Sequence, residues 1–332
     1  MRDYLHFLQT NFPWLLRFTA FYMGACVGSF LNVCILRIPA NKSIVTPRSH
    51  CVCGKPIAWY DNLPILSWFI LRGRARCCGQ KFSFRYPLIE AVTAFTFLWL
   101  WVTLPPASAV AGMVFFSILL MGGMIDLDTM LLPDITTVGG MFVGLILSSV
   151  FPQIQHVPPT PELWLGASLH GGVISMIGVI VGTGVVFWIR ELGELFFKKE
   201  AMGYGDVLLM GCLGAFCGWQ GAVFSLFGGA CIGCCVILPW MAFAWAFRKP
   251  AEETSPPTMP EPAVAAPVTA EGAPPDPAAP IGHDTPAFGV AIPFGPWLAL
   301  GGFLYYAVPI LHSGVDRYFD LLRALAFGEM VQ

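Results

Sequence analysis

Forty-one consecutive residues, Val207 to Phe247, carry no charged side chain. As one straight helix rising 1.5 Å per residue this run would be about 60 Å long, roughly twice the hydrocarbon core of a bilayer. It must therefore fold back, and Gly218, Trp219 and Gln220 are the expected break, with a first leg short enough to need tilting. Further apolar runs of crossing length lie near 14–36, 86–104, 108–125, 135–151, 167–189 and 293–312. With 56% hydrophobic and only 11% charged residues, the chain has more apolar surface than a soluble domain of this size can bury. The expected fold is an all-α polytopic membrane protein of about eight transmembrane helices.

Lysine and arginine total 18 against 20 acids, a net charge of -2 that argues against nucleic acid as the main partner. Half of the bases cluster in one polar segment: Arg37, Lys42, Arg48, Lys55, Arg72, Arg74, Arg76, Lys81 and Arg85. The positive-inside rule puts that loop in the cytoplasm and the N-terminus outside. Threading onward places 126–134, 190–206 and 248–292 inside as well, adding Arg190, Lys198, Lys199, Arg248 and Lys249. Both termini are then expected on the periplasmic side. Met1 to Trp14 is mostly polar, and the apolar run after it has no convincing small-residue cleavage site, so no removable signal peptide is expected.

These features divide the chain into a first helix (1–38), a small cytoplasmic cysteine-containing loop domain (39–85) and a transmembrane core (86–248). A Pro/Ala-rich stretch without periodicity (249–287) reads as a disordered cytoplasmic linker, and 288–332 carries the last helix and tail. Seven of the eleven cysteines sit in apolar runs, where cysteine acts as a small hydrophobe; Cys51, Cys53, Cys77 and Cys78 lie in the polar loop.

Acids are scarce, so their positions are informative. Asp126, Asp128 and Asp134 fall in GGMIDLDTMLLPD, where an uncharged helix meets the cytoplasmic surface. Asp206 closes GYGD at 203–206, where the next apolar run begins, and the intervening outward and return helices bring it back to the same side. Two such carboxylates within a few ångströms share one proton, which equips them for aspartyl proteolysis. Gly203 and Gly205 would let an extended substrate backbone come close. The alternative stands beside it: Asp126 and Asp128 mark the membrane boundary and cap a turn, and Asp206 is an N-cap.

GYGD together with IDLDTMLLPD resembles the catalytic pair of the type IV prepilin peptidases, bacterial members of the GxGD membrane aspartyl proteases. GSFLNVCILRIP (28–39), WYDNLPILSW (59–68), RYPLIE (85–90) and IPFGPWLAL (292–300) resemble other blocks of that family. The resemblance implies that Asp126 and Asp206 are catalytic and that short basic leader peptides are removed from type IV prepilins or type II secretion pseudopilins. It also implies a bacterial inner-membrane location with the site facing the cytoplasm. Many members then methylate the new N-terminus with S-adenosylmethionine, a cofactor implied here by analogy. Asp128 and Asp134 take supporting roles; Glu90 and Asn32 either line the substrate route or make interhelical hydrogen bonds.

Many relatives carry two CxxC pairs in the loop, suited to zinc. This chain has Cys51 and Cys53 one residue closer, adjacent Cys77 and Cys78, and Ala75 at the outer position. Two readings stand: a zinc site, against which adjacent thiols imply strain, or a metal-free loop held by packing of Trp59, Trp68 and Phe69. Leu208 replaces a lysine common in relatives, which removes a cation beside Asp206. A non-catalytic scaffold of a pilus or secretion system and a proton-relay transporter are the rival readings. The lipid bilayer and the prepilin are the expected partners; the number of copies is left open. The basic loop is expected to recognise substrate through its architecture, because the leader it faces is itself basic.

Overall fold

The computed structural model describes residues 2–47, 49–51, 53–157, 164–198, 202–246 and 293–327. The linker expected at 249–287 lies outside them, as do Arg48, Lys199, Arg248 and Lys249. Residues 1–234 and 293–332 form one compact unit; 235–292 form a second, described over 235–246 as helix with Pro239 inside it. Among the described residues the chain is helical, with two isolated β-bridges in place of any strand.

Among the described residues, five helices are long and apolar enough to cross a bilayer: α2 (Pro13–Arg37), α4 (Arg85–Thr103), α5 (Pro106–Thr129), α7 (Trp164–Phe197) and α8 (Tyr204–Ala246, apolar to Phe243). A short polar helix, α1 (Arg2–Asn11), precedes them, and α3 (Leu66–Ile70) lies in the loop. The apolar helix α6 (Asp134–Val150) has 17 residues. Large side chains such as Phe142, Ile146, Ile180 and Trp188 point outward, as lipid requires.

Two elements differ from expectation. The run at 293–312 is not one straight helix but two, α9 (Gly295–Ala307) and α10 (Pro309–Phe327), bent by 93°. Pro309 is the cause: it cannot donate to the helix, and it drives Val308 out of the helical region to φ -109°, ψ 99°. The span expected at 167–189 runs on to Phe197, where Arg190 pairs with Glu191 at 2.8 Å.

The 41-residue uncharged run does fold back, and its break is Gly218, at φ 68° and ψ -176°. A Cβ placed on Gly302 would lie 2.6 Å from Leu213 and 3.1 Å from Ser225. Those residues would be about 18 Å apart along a straight helix, so the two legs of α8 lie against each other. The break interrupts the i→i−4 ladder and frees carbonyls that a dry interior must satisfy. Buried Gln155 does so by donating from Nε2 to the carbonyls of Ala215 (3.0 Å) and Phe216 (3.3 Å). The hydroxyls of Ser148 and Ser175 also reach Ala215, at 3.1 and 2.7 Å.

Helices α2 and α4 pack closely because α2 presents a stripe of small residues. A Cβ on Gly24 or Gly28 would come within 2.7 Å of the α4 backbone at Ala94 and Glu90. The main core joins α5, α8 and α9: Phe115 stacks on Phe216 at 4.4 Å, and Leu213 and Leu298 are fully buried. On α9, Leu298 accepts a hydrogen bond from Ser225 (2.7 Å), and Tyr306 donates to Ser108 (2.7 Å).

Candidate active site

Three helix ends converge. The first is the last turn of α5, where Met130 takes a left-handed conformation (φ 55°) and its N–H closes on the carbonyl of Asp126 at 2.8 Å. Residues two apart on a helix point about 200° apart, so Asp126 and Asp128 cannot share a direction. Asp126 turns inward and is 6% exposed. Asp128 turns to α4, where Arg85 binds both its oxygens at 2.7 Å.

The second is the start of α8. Asp206 is inside its first turn and not at the N-cap, since the helix begins at Tyr204 and the Asp206 N–H donates to Gly203 (3.2 Å). Gly205 admits Leu132, whose Cβ would stand 3.0 Å from a Cβ added there. The third is the start of α9, at Gly295. A methyl group on Gly295 would lie 2.7 Å from Oδ2 of Asp126 and 3.3 Å from Oδ1 of Asp206. The two carboxylate oxygens are therefore no farther apart than the sum of those distances, although 80 residues separate them in sequence. Their neighbours are Leu132 and the Gly295 backbone. In such surroundings two carboxylates favour one shared proton, leaving one member able to take a proton and the other able to give one.

The remaining predicted residues are placed elsewhere. Asp134 opens α6, where an acid suits the helix dipole. Asn32 is buried and donates to the Tyr86 carbonyl at 3.1 Å, a bond between α2 and α4. Glu90 accepts the backbone N–H of Ile65 at 2.7 Å. Ile65 sits at φ 64°, ψ -55° inside a γ-turn closed by Leu66 N–H on Pro64 (2.6 Å), a strained conformation for a β-branched residue. Glu90 thus ties the loop to the helix bundle.

In the loop, the four thiols come together: the sulfurs of Cys51, Cys53, Cys77 and Cys78 all lie within 4.8 Å of one another. Cys51 is 3.4 Å from Cys78, and Cys53 is 3.4 Å from Cys77. Tetrahedral zinc with Zn–S of 2.3 Å needs sulfurs ~3.8 Å apart, so the set fits a metal of that kind. Each pair is followed by a glycine in the left-handed region, Gly54 (φ 82°) and Gly79 (φ 71°), and each turn is closed by a bridge, His50 to Pro56 and Arg74 to Lys81. The Cys53 backbone N–H and the thiols of Cys77 and Cys78 draw the Cys51 thiol down to about 7, while the Cys77 thiol is pushed up to about 12, chiefly by Cys51. Of the three aromatics expected to pack, Trp68 does so against Phe69 (5.3 Å) and Phe84 (5.1 Å), while Trp59 is 78% exposed; the turns and the Arg76–Asp61 pair (2.8 Å) add further ties.

Two residues of the site were not singled out from sequence: Gly295, visible only as part of the IPFGPWLAL block, and Arg85, counted there as one of nine bases. A cavity of about 380 Å³ at the Gly218 bend, between Gln155, His170, Trp219 and Tyr305, has no carboxylate in its described lining.

Residues 22–104 match the bacterial peptidase A24 N-terminal domain, and residues 113–238 match the type IV leader peptidase family. The chain is 35% identical to a prepilin leader peptidase/N-methyltransferase of Myxococcus xanthus, over 85% of this chain and 87% of the relative. It is 36% identical to a protein of the same description from Klebsiella pneumoniae, over 63% and 89%. A type 4 prepilin-like proteins leader peptide-processing enzyme of Escherichia coli is 36% identical over 59% and 74%. No solved structure matches the chain.

Proposed function

The chain belongs to the type IV leader peptidase family, and from that membership we propose that it is a membrane aspartyl endopeptidase that removes the leader peptide of type IV prepilins or type II secretion pseudopilins. The observation that carries the reading is that Asp126 and Asp206, 80 residues apart in sequence, both border Gly295. The ionised carboxylate takes a proton from a water as its oxygen attacks the scissile carbonyl; the protonated carboxyl donates its proton to the carbonyl oxygen. Collapse of the tetrahedral intermediate breaks the C–N bond, and the amine leaves with a proton returned by the pair. Asp128 stands apart from these steps and, with Arg85, holds the end of α5.

The reading places the site at the cytoplasmic leaflet of a bacterial inner membrane, with about eight crossings and both termini periplasmic. Its support is the concentration of bases between Arg37 and Arg85 and the return of α8 at Gly218. The four-thiol cluster is read as a structural zinc site that stiffens the loop. Methylation of the new N-terminus from S-adenosylmethionine rests on the relatives' names alone, and no residue is assigned to it.

Purified protein incubated with a prepilin in detergent tests the peptidase. Wild type is expected to shorten the substrate, and Asp126→Asn or Asp206→Asn to abolish this; wild-type rates in both variants would refute the assignment. A scaffold would release no leader at all.

A further inference from the structure

The glycine at the start of α9 is not there for its backbone freedom. Gly295 is absent from the positive-φ positions, and its helix begins with ordinary geometry. What the position requires is empty space: a single methyl group would meet Asp126 at 2.7 Å, Asp206 at 3.3 Å and Leu132 at 3.3 Å. The first of these is closer than real Cβ atoms come to their neighbours.

Something would have to move, and the packing decides what. Helix α9 has no room to retreat. Gly301, on its other side, already approaches Gly229 so closely that a Cβ would be 2.8 Å from that backbone nitrogen. Ser225 and Tyr306 add hydrogen bonds of 2.7 Å each, and Pro296 fixes the backbone next to Gly295. The carboxylates are the softer side, each turning about two side-chain bonds. A methyl group would therefore displace the acids, Asp126 first, and leave the helix where it is.

We propose that Gly295 is a positioning residue for peptide cleavage: its missing side chain leaves the room in which Asp126 and Asp206 take their places. The inference rests on the leader-peptidase reading above and deepens it. The site is made by three segments, two that supply acids and a third that supplies a notch. Displacing a catalytic group by about 1 Å costs on the order of 100-fold in rate, so one added carbon is enough to silence the pair.

Full-length Gly295→Ala is compared with wild type on a purified prepilin, with Gly123→Ala as control. Gly123 faces Pro296 at 3.9 Å, on the same α5–α9 contact but away from the acids. Gly295→Ala is expected to lose roughly 100-fold in kcat with KM within about threefold, and Gly123→Ala to stay within about twofold of wild type. Melting temperatures complete the test: Gly295→Ala should melt lower than wild type, whereas in an Asp126→Ala background the same methyl enters vacated space and should not lower the melt further. Normal cleavage by Gly295→Ala, or an equal loss of melting temperature in both backgrounds, overturns the proposal. Normal cleavage by Asp126→Asn and Asp206→Asn would instead refute the peptidase reading, and the melting cycle would still decide whether Gly295 and Asp126 are coupled.

Discussion

Arg85 binds both carboxylate oxygens of Asp128, at 2.7 Å each, joining the first turn of α4 to the last turn of α5. The second acid of IDLDT thus ties two helix ends together, and on the leader-peptidase reading it acts as a strut. Both side chains are about one-third exposed, which limits the pair to ~0.5–1 kcal/mol. Asp128→Asn is expected to lower kcat less than about tenfold, against abolition by Asp126→Asn. Adding Arg85→Gln should cost little more, as steady-state cleavage by the single and double variants will reveal.

Glu90 fastens Ile65 in its strained turn. Glu90→Ala leaves that N–H without its acceptor and should cost about 1–3 kcal/mol locally, seen as faster hydrogen exchange at residues 63–70. Ile65→Gly relieves the positive φ and should recover about 1 kcal/mol of that loss. Unchanged exchange in Glu90→Ala would contradict the latch.

Gln155 answers two carbonyls released by the break in α8. Gln155→Ala is expected to lower stability by about 2–3 kcal/mol, read as a lower melting temperature. KM for prepilin should be unchanged in the surviving folded protein, because the bend lies at the far end of the leg whose first turn carries Asp206.

Zinc in the thiol cluster makes a signed prediction. The ligands are thiolates, so metal binding expels protons and the apparent affinity must rise with pH. Competition with a chromophoric chelator at pH 6, 7 and 8 should give a steadily tighter site, and Cys51→Ser or Cys78→Ser should abolish stoichiometric zinc. A pH-independent affinity would exclude thiolate ligation.

Arg72 and Arg74 project into solvent from the loop. If the loop recognises its basic substrate by shape, Arg72→Gln with Arg74→Gln should change KM less than about threefold at any salt. A large salt-dependent rise in KM would point to charge attraction instead.

The length of uncharged runs made the helices legible, and Val207 to Phe247 could only be accommodated by a fold-back, which a glycine supplies. The acid pair was legible because charges at the ends of apolar runs are rare. Gly295 was not: no periodicity announces that a helix start 89 residues beyond Asp206 will come to rest against both carboxylates. The bend at Pro309 was hidden by an apolar run that continues across it. The convergence of Cys77 and Cys78 was hidden for a local reason. Residues 75–79 form a tight turn, closed by Gly79 N–H on Ala75 at 2.8 Å, and neighbours in such a turn can aim at one point where neighbours in a strand cannot.

The wall that Gly295 supplies is made late. Both acids leave the ribosome well before α9, which follows them only after residues 247–292 have been synthesised. A nascent chain halted in that interval would carry Asp126 and Asp206 without the helix start that borders them both. On the leader-peptidase reading, the order of translation thereby acts as a safety catch: the acids gain their third wall only once the growing chain has passed Gly295.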